Sequence, residues 1–155
     1  MQTDPVAQHR WLTKFVGEWT TESTCGPGQV MRGRESGRMI GDLWMTAEAT
    51  GDMPGGGSAT MVLTLGYDVL KKRFVGTWIG SMMSNLWVYD GSLDDAGRVL
   101  TLSAEGPAWE DPNKLAQYRD VHEFISDDER TLTGMCLGDD GQWTPMMTVK
   151  YTRVK

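Results

Sequence analysis

Residues 65–91 of the chain read LGYDVLKKRFVGTWIGSMMSNLWVYDG, and this stretch decides the fold. It contains three runs that are rich in β-branched and aromatic residues, a composition typical of strands. Two short segments, Asp68–Lys72 and Ser84–Asn85, separate these runs and carry residues that favour tight turns. Strands joined by short turns pair as antiparallel hairpins. The stretch therefore predicts three consecutive strands in the central wall of a β-barrel.

Runs of the same kind continue on both sides of this stretch. Most of their connections are short and rich in Gly or Asp, as in Asp94–Gly97, which favours sequential hairpins. Closing such a meander on itself removes the edge strands that promote aggregation. We therefore predict an all-β fold, an antiparallel meander barrel of about ten strands over residues 17–155. The strands are predicted at residues 18–24, 30–39, 43–50, 60–67, 73–82, 86–93, 99–105, 117–126, 131–137 and 146–154.

A short N-terminal helix is predicted before the barrel, over residues 4–16. Asp4 is a favourable N-cap, and Pro5 is favourable at the first helical position. Apolar residues recur on one face of this segment, and Gly17 ends it. We expect the helix to cover one end of the barrel. No shift in composition divides the chain, so residues 1–155 are predicted to form a single domain.

The charge of the chain excludes several classes of partner. Asp and Glu number 21 against 15 Lys and Arg, which gives a formal net charge of −6. Nucleic acids and anionic membranes are bound through basic surfaces, so neither is expected as a partner. The N-terminus lacks a signal-peptide pattern and no apolar run approaches a membrane span, which predicts a cytoplasmic protein. Cys25 and Cys136 allow one disulfide but no disulfide framework.

The opening of the predicted barrel, Gly17-x-Trp19 after a short helix, resembles that of calycin-type barrels such as lipocalins, fatty-acid-binding proteins and nitrobindins. The resemblance implies that Trp19 packs under an arginine of the final strand, here Arg153, in a cation–π stack that closes the barrel. For His122, the resemblance to nitrobindins implies a role as a haem or metal ligand. No further His or nearby Cys completes a metal-binding set around it.

A closer resemblance is to a bacterial calycin-like family of uncharacterised function, and it runs along nearly the whole chain. It implies a lipocalin-like fold and no particular activity. Family members often carry an acid two residues after the central Trp, where this chain has Gly80. The shared motifs are HxWL…VGxW (His9, Trp11, Leu12, Val16, Gly17, Trp19), LGYD…KKxxVGTW (Leu65–Asp68, Lys71, Lys72, Val75–Trp78) and YTR (Tyr151–Arg153).

A set of large aromatic and sulfur-containing residues in the central strands is the candidate ligand-binding site. Alternation places Trp78 on one strand face with Gly76 and Gly80, and these glycines leave space beside the indole. Such a set lines an apolar pocket or fills an ordinary core, and the sequence does not decide which face of its strand Trp87 takes. The five residues are Trp44, Tyr67, Trp78, Met82 and Trp87.

Arg119 completes the candidate site. Pointing inward, it would offer its guanidinium to a carboxylate ligand. The alternative is an exterior salt bridge with Glu123, which shares its strand face, while Asp120, His122 and Phe124 share the other face. Glu48 is likewise either a buried acid facing Arg119 or a surface residue.

Catalysis has the weakest support in the sequence. There is no Gly-x-Ser-x-Gly nucleophile motif, and no Cys–His spacing suggests a nucleophile and its base. No catalytic residues, metal ligands or cofactors are predicted, and the acidic turns favour hairpins over calcium sites.

The first functional hypothesis is a barrel that binds a small apolar or amphipathic ligand in its lumen. The second is a structural or interaction protein whose barrel is filled by its own side chains and which forms a homodimer through an outer face. An enzyme of unknown type is the third.

Overall fold

The computed structural model describes all 155 residues and shows a closed antiparallel β-barrel of ten strands. Each strand pairs with its neighbour in sequence, and the first strand closes the barrel by pairing with the last. The predicted meander barrel is confirmed. The elements are helix α1 (Ala7–Trp11), a 3-10 helix (Leu12–Phe15), β1 (Gly17–Thr24), β2 (Val30–Ile40), β3 (Trp44–Asp52), β4 (Ser58–Asp68), β5 (Arg73–Gly80), β6 (Trp87–Leu93), β7 (Val99–Pro107), β8 (Leu115–Phe124), β9 (Glu129–Leu137) and β10 (Trp143–Arg153).

The helix begins at Ala7, three residues later than predicted, and Asp4 does not cap it. His9 stabilises the first turn instead, because its Nδ1 accepts a hydrogen bond from the backbone N–H of Val6 at 3.0 Å. That bond leaves His9 Nε2 as the donor, and it lies 3.0 Å from the carbonyl oxygen of Tyr67 at the end of β4. The same histidine therefore starts the helix and ties it to the barrel wall.

The helical segment closes one end of the barrel, as predicted. Trp11 Nε1 donates a hydrogen bond to the carbonyl oxygen of Gly97, in the β6–β7 hairpin, at 2.7 Å. The Trp11 ring makes edge contacts with Phe74 of β5 and Phe124 of β8, at centroid distances of 5.8 and 5.6 Å. Phe15 inserts behind it and is fully buried. Rings from the helical segment and from two barrel strands thus form an apolar plug.

Trp19 is held at the same end between two arginines. Arg153 lies over one part of its ring at 4.2 Å, which confirms the predicted stack, and Arg130 lies 4.8 Å from the ring centroid. The indole N–H donates to the carbonyl oxygen of Phe15 at 2.9 Å, and the side chain is fully buried. Arg153 also donates to the carbonyl oxygens of Val16 and Lys14, which anchors the helical segment to β10.

Candidate functional site

The barrel is filled with side chains at the helix-covered end but not at the other. Inward-facing residues near the helix are buried, among them Leu65, Phe74 and Leu100. Towards the opposite end several large inward-facing side chains are only half-buried, whereas Ala59 of β4 and Ala104 of β7 stay buried among them. We call this part of the interior the open half of the lumen. Its large half-buried residues are Met31, Met61, Trp78, Trp87 and Met147.

Small residues lie beside these large ones on the inner wall. Ala47, Ala59 and Ala104 are buried on the inner faces of β3, β4 and β7. Gly134 of β9 is buried on the inner face opposite Asp120. Alanine and glycine at these positions project little or nothing into the barrel, whose ten strands enclose more interior than such short side chains fill. The open half therefore has small residues on its wall and large aromatic and methionine side chains at its mouth, where the rings of Trp78 and Trp87 lie over Gly80 and Gly106.

Three of the six predicted site residues meet at that mouth. Trp78 and Trp87 are directly paired across β5 and β6, and both face inward. The Trp78 ring and the Met82 sulfur lie over Gly80, where a Cβ would come within 2.7 and 2.5 Å of them. Trp87 Nε1 also donates to the sulfur of Met83 at 3.2 Å. An acidic side chain at position 80 would have to displace these groups, so glycine suits this mouth.

Asp120 and Tyr89 form the polar floor of the open half. Asp120 is half-buried on the inner face of β8, and the Tyr89 hydroxyl of β6 donates a hydrogen bond to its Oδ2. Oδ1 makes no hydrogen bond within the chain, and it lies beside Gly134, 3.5 Å from where a Cβ would stand. One oxygen of a carboxyl group is thus held by tyrosine, and the other is left for a partner that the protein does not supply.

Burial controls the protonation of this floor. It raises the pKa of Asp120 above its ordinary value of 3.8, against the opposing effect of the Tyr89 hydrogen bond. Burial, together with the negative charge of Asp120, also raises the pKa of Tyr89. Tyr89 therefore stays protonated and remains the donor of the hydrogen bond to Asp120.

A buried ion pair lies behind the floor, towards the helix. Arg130 of β9 is fully buried, and its Nη2 donates to Glu35 of β2, which is also buried. The guanidinium stacks on the ring of Tyr151 at 3.6 Å and lies 4.9 Å from that of Phe15. Its Nε and Nη1 have no hydrogen-bond partner. Burial raises the pKa of Glu35, and the charge of Arg130 opposes that rise.

His122 lies in the same layer and is held neutral. It is buried on the inner face of β8 against Phe15, at a centroid distance of 5.6 Å, and its Nδ1 has no partner. Burial, helped by the charge of Arg130, lowers its pKa to about 3. Nowhere in the structure do three His, Cys, Asp or Glu side chains come together as a metal-binding group. The haem or metal interpretation of His122 therefore gains no supporting ligand set.

The other three predicted site residues lie away from the open half. Tyr67 packs against His9 and Phe74 at the helix-covered end, at centroid distances of 5.9 and 5.1 Å. Trp44 is 45% exposed and covers the outer face of Gly66. Its placement outside the lumen corrects the expectation that it lines the pocket. The physical reason is that glycine on the neighbouring strand leaves a shallow depression that the indole fills from outside.

Arg119 also lies outside the lumen, so it does not offer its guanidinium to a ligand there. It faces outward from β8 and stacks on the ring of Trp143 at 4.0 Å. The predicted alternative of a salt bridge to Glu123 is not formed, because Glu123 pairs with Arg98 at 3.2 Å. Glu48 is exposed on the outer face of β3. Arg119 and Glu48 both face outward, whereas Asp120, which was not predicted as a site residue, faces inward.

Two features of the sequence could have identified the polar floor. Asp120 alternates with Tyr118, His122 and Phe124, and the two large rings at the ends of this series mark an inward face. Gly134 then lies opposite Asp120 on the next strand. The sequence does not mark Arg130 as an interior residue, because it directly follows Asp127, Asp128 and Glu129, a run typical of a hairpin turn.

Comparison with known proteins agrees with this architecture. Residues 4–153 match the family described as "Protein of unknown function (DUF1579)". The chain belongs to the DUF1579 family. This membership confirms the resemblance to a family of uncharacterised function. Among curated proteins, none matches the sequence.

Solved structures similar to this DUF1579 barrel share its fold at low sequence identity. Rv2717c from M. tuberculosis is 13% identical with a TM-score of 0.61, covering 98% of this chain and 100% of that one. The S-type phycobiliprotein lyase CPES from Guillardia theta is 13% identical with a TM-score of 0.58, covering 97% and 94%. A third, EF1p2_mFAP2b bound to DFHBI, is 13% identical with a TM-score of 0.52, covering 96% and 100%. These neighbours are consistent with a calycin-like barrel.

The helical part of the chain is small. No helix in the structure combines the length and the apolar character needed to cross a membrane. Both cysteines, Cys25 and Cys136, are free thiols, so the disulfide that the sequence allows is not formed.

Proposed function

We propose that the protein binds a small, largely apolar ligand in the open half of its barrel lumen. The observation that carries the proposal is the gradient of burial along the inner wall. The large inward-facing side chains are buried at the helix-covered end, whereas Trp78, Trp87 and Met61 at the open end are half-buried and line the proposed binding recess. Exposed aromatic and methionine surface of this kind is typical of a ligand pocket.

The structural neighbours support this choice of function. EF1p2_mFAP2b and the redesigned barrel mFAP1 are both solved with DFHBI bound. Barrels of the same closed, small-domain shape therefore accommodate a small molecule. A self-filled barrel, the main alternative, would bury its large inward-facing side chains at both ends, and here Met61, Trp78 and Trp87 are half-buried.

Truncation of Trp78 tests the proposal against a matched control. Binding of a neutral aromatic probe, 1-naphthalenemethanol, is measured by isothermal titration calorimetry. Trp78→Ala is expected to weaken the probe about tenfold, because it removes ring contact worth ~1.4 kcal/mol from the mouth. Trp44→Ala makes the same truncation on the outer wall and is expected to leave the dissociation constant unchanged. Equal effects of the two variants, or no binding to the wild type, would argue against the proposal.

An interaction role is the second candidate function, and the outer face of β5 and β6 favours it. Ile79 and Val88 are 50% and 60% exposed there, and Leu86 just before β6 is 54% exposed. Adjacent exposed apolar side chains of this kind often mark a contact surface. Sedimentation velocity over a range of protein concentrations, with and without 1-naphthalenemethanol, distinguishes the ligand-binding function from the interaction function. A dimer whose formation is not affected by the probe supports the interaction function.

A further inference from the structure

We propose that the lumen ligand carries a protonated amine at its polar end and that Asp120 binds that group. This inference rests on the proposed function, because it assigns the chemistry of the same recess. It differs from the expectation that an arginine would hold a carboxylate ligand. The side chains that actually face the lumen favour the opposite charge.

The first support is the unpaired oxygen of Asp120. Its Oδ2 is engaged by the Tyr89 hydroxyl, whereas Oδ1 has no hydrogen-bond partner in the chain and lies at Gly134, next to the half-buried side chain of Met147. Tyr89 itself is 6% exposed, so its single hydroxyl proton is already committed to Asp120. The floor therefore offers an incoming ligand a free acceptor rather than a free donor. A donor such as an ammonium or hydroxyl group completes it.

The second support is the absence of a free cation facing the recess. Arg130 faces inward, but it is paired with Glu35 and stacked behind Tyr151. Arg153 also lies at the helix-covered end, where it bonds backbone carbonyls. The remaining Lys and Arg residues of the strands occupy outward-facing positions; they are Arg32, Arg34, Arg38, Arg73, Arg119 and Lys150.

A carboxylate ligand would consequently place a second acid beside Asp120 without a counter-ion. Like charges at such close range are unfavourable, and one of the two groups would have to take up a proton. An ammonium group has the reverse effect. It pairs with the carboxylate of Asp120 and offsets the burial that otherwise disfavours its charged form.

The mouth of the recess suits the same ligand class. Trp78 and Trp87 pair across β5 and β6 on the inner wall, and Trp87 makes an edge contact at a centroid distance of 5.0 Å with Tyr118, which shares the inner face of β8 with Asp120. Indole and phenol faces attract cations. The net charge of −6 also favours the approach of a cation over that of an anion. Apolar body and cationic head are thus accommodated by adjacent parts of one recess.

Three probes that differ only in their head group test the inference. These are 1-naphthylmethylamine, 1-naphthalenemethanol and 1-naphthoic acid, titrated calorimetrically into the wild type at pH 7. We expect the amine to bind best and the acid at least about tenfold more weakly than the amine. Asp120→Asn keeps the shape of the side chain and removes its charge. In that variant the amine is expected to fall to the affinity of the alcohol, whose own affinity changes little.

The outcomes separate this inference from the proposed function. If the acid binds as well as the amine, or if Asp120→Asn leaves the amine unaffected, the lumen binds ligands but Asp120 does not select them, and the inference is wrong. If none of the three probes binds, the proposed function itself fails. The wild-type comparison needs no variant, so it remains decisive even if Asp120→Asn does not fold.

Discussion

Replacing Arg130 with methionine is expected to lower the free energy of unfolding by about 3–5 kcal/mol. The guanidinium is fully buried, and it is the partner of the buried carboxylate of Glu35. Without it, Glu35 must either keep an unpaired charge in the interior or take up a proton, and both cost free energy. The stacking of Arg130 between Tyr151 and Trp19 is lost as well. Chemical denaturation at pH 7 measures the change.

Two control variants show whether the loss comes from the broken pair. Arg119→Met makes the same substitution on the outer face, where the guanidinium stacks on Trp143, and is expected to cost about 1 kcal/mol or less. The double variant Glu35→Met with Arg130→Met removes both charges and is expected to regain at least half of the lost stability, since buried ion pairs are often replaceable by apolar residues. If the double variant is no more stable than Arg130→Met alone, the cost arises from packing and not from the unpaired acid.

Replacing His122 with glutamine is expected to abolish part of the acid sensitivity of the fold. The pKa of His122 is lowered to about 3 in the folded protein, by burial and by the charge of Arg130. The unfolded chain takes up a proton near pH 6.5, and the folded chain does not. The stability that His122 contributes is therefore fully present above pH 6.5 and is lost as the pH falls from 6.5 towards 3.

The difference between the wild type and His122→Gln isolates this effect. At roughly 1.4 kcal/mol per pH unit, the wild type loses about 3 kcal/mol between pH 7 and pH 4 that the variant does not lose. Asp120 and Glu35, whose pKa values are raised by burial, oppose this trend, but they are present in both proteins and cancel in the difference. Urea unfolding at several pH values gives the comparison. Parallel stability curves for the two proteins would contradict this expectation, because they would mean that His122 takes up its proton over the same pH range in the folded and the unfolded chain.

The strands could be predicted from the sequence because alternation and turn residues agree along most of the chain. The observed bounds of β1, β2 and β6 lie within one residue of the predicted ones. Glycine and acidic turns mark most hairpins without ambiguity. The stack of Arg153 on Trp19 could be predicted as well, from the resemblance to calycin-type barrels. Each of these features depends on local sequence or on a pairing fixed by the fold.

The polar interior could not be predicted in the same way, because its residues look like surface residues. Both faces of β8 carry charged residues, and the rings of Tyr118 and Phe124 are the only local sign that Asp120 and not Arg119 points inward. Long-range partners decide between them: Tyr89 of β6 and Gly134 of β9 accommodate Asp120 inside, and Trp143 of β10 holds Arg119 outside. Such contacts between strands far apart in sequence leave no trace in the periodicity of a single strand.

Met82 and Trp44 show the same limit on a smaller scale. Met82 falls just outside β5, which ends at Gly80 instead of continuing to residue 82, and yet the turn folds its sulfur back over the mouth. Trp44 is large and apolar, but the outer depression at Gly66 accepts it. Residue type alone therefore predicted that large aromatic and sulfur-containing side chains lie at the open half, but it did not predict which of them do.

Methionine methyl groups provide the most direct test of lumen binding. The carbon-13-labelled methyl signals of all 11 methionines are recorded by NMR while 1-naphthalenemethanol is added. Ligand binding in the open half predicts shifts of Met31, Met61 and Met147, which face the lumen, and none of Met146, which is exposed outside, or Met45, which is buried near the helix. Shifts confined to outer methionines, or none at saturating probe, would contradict the account.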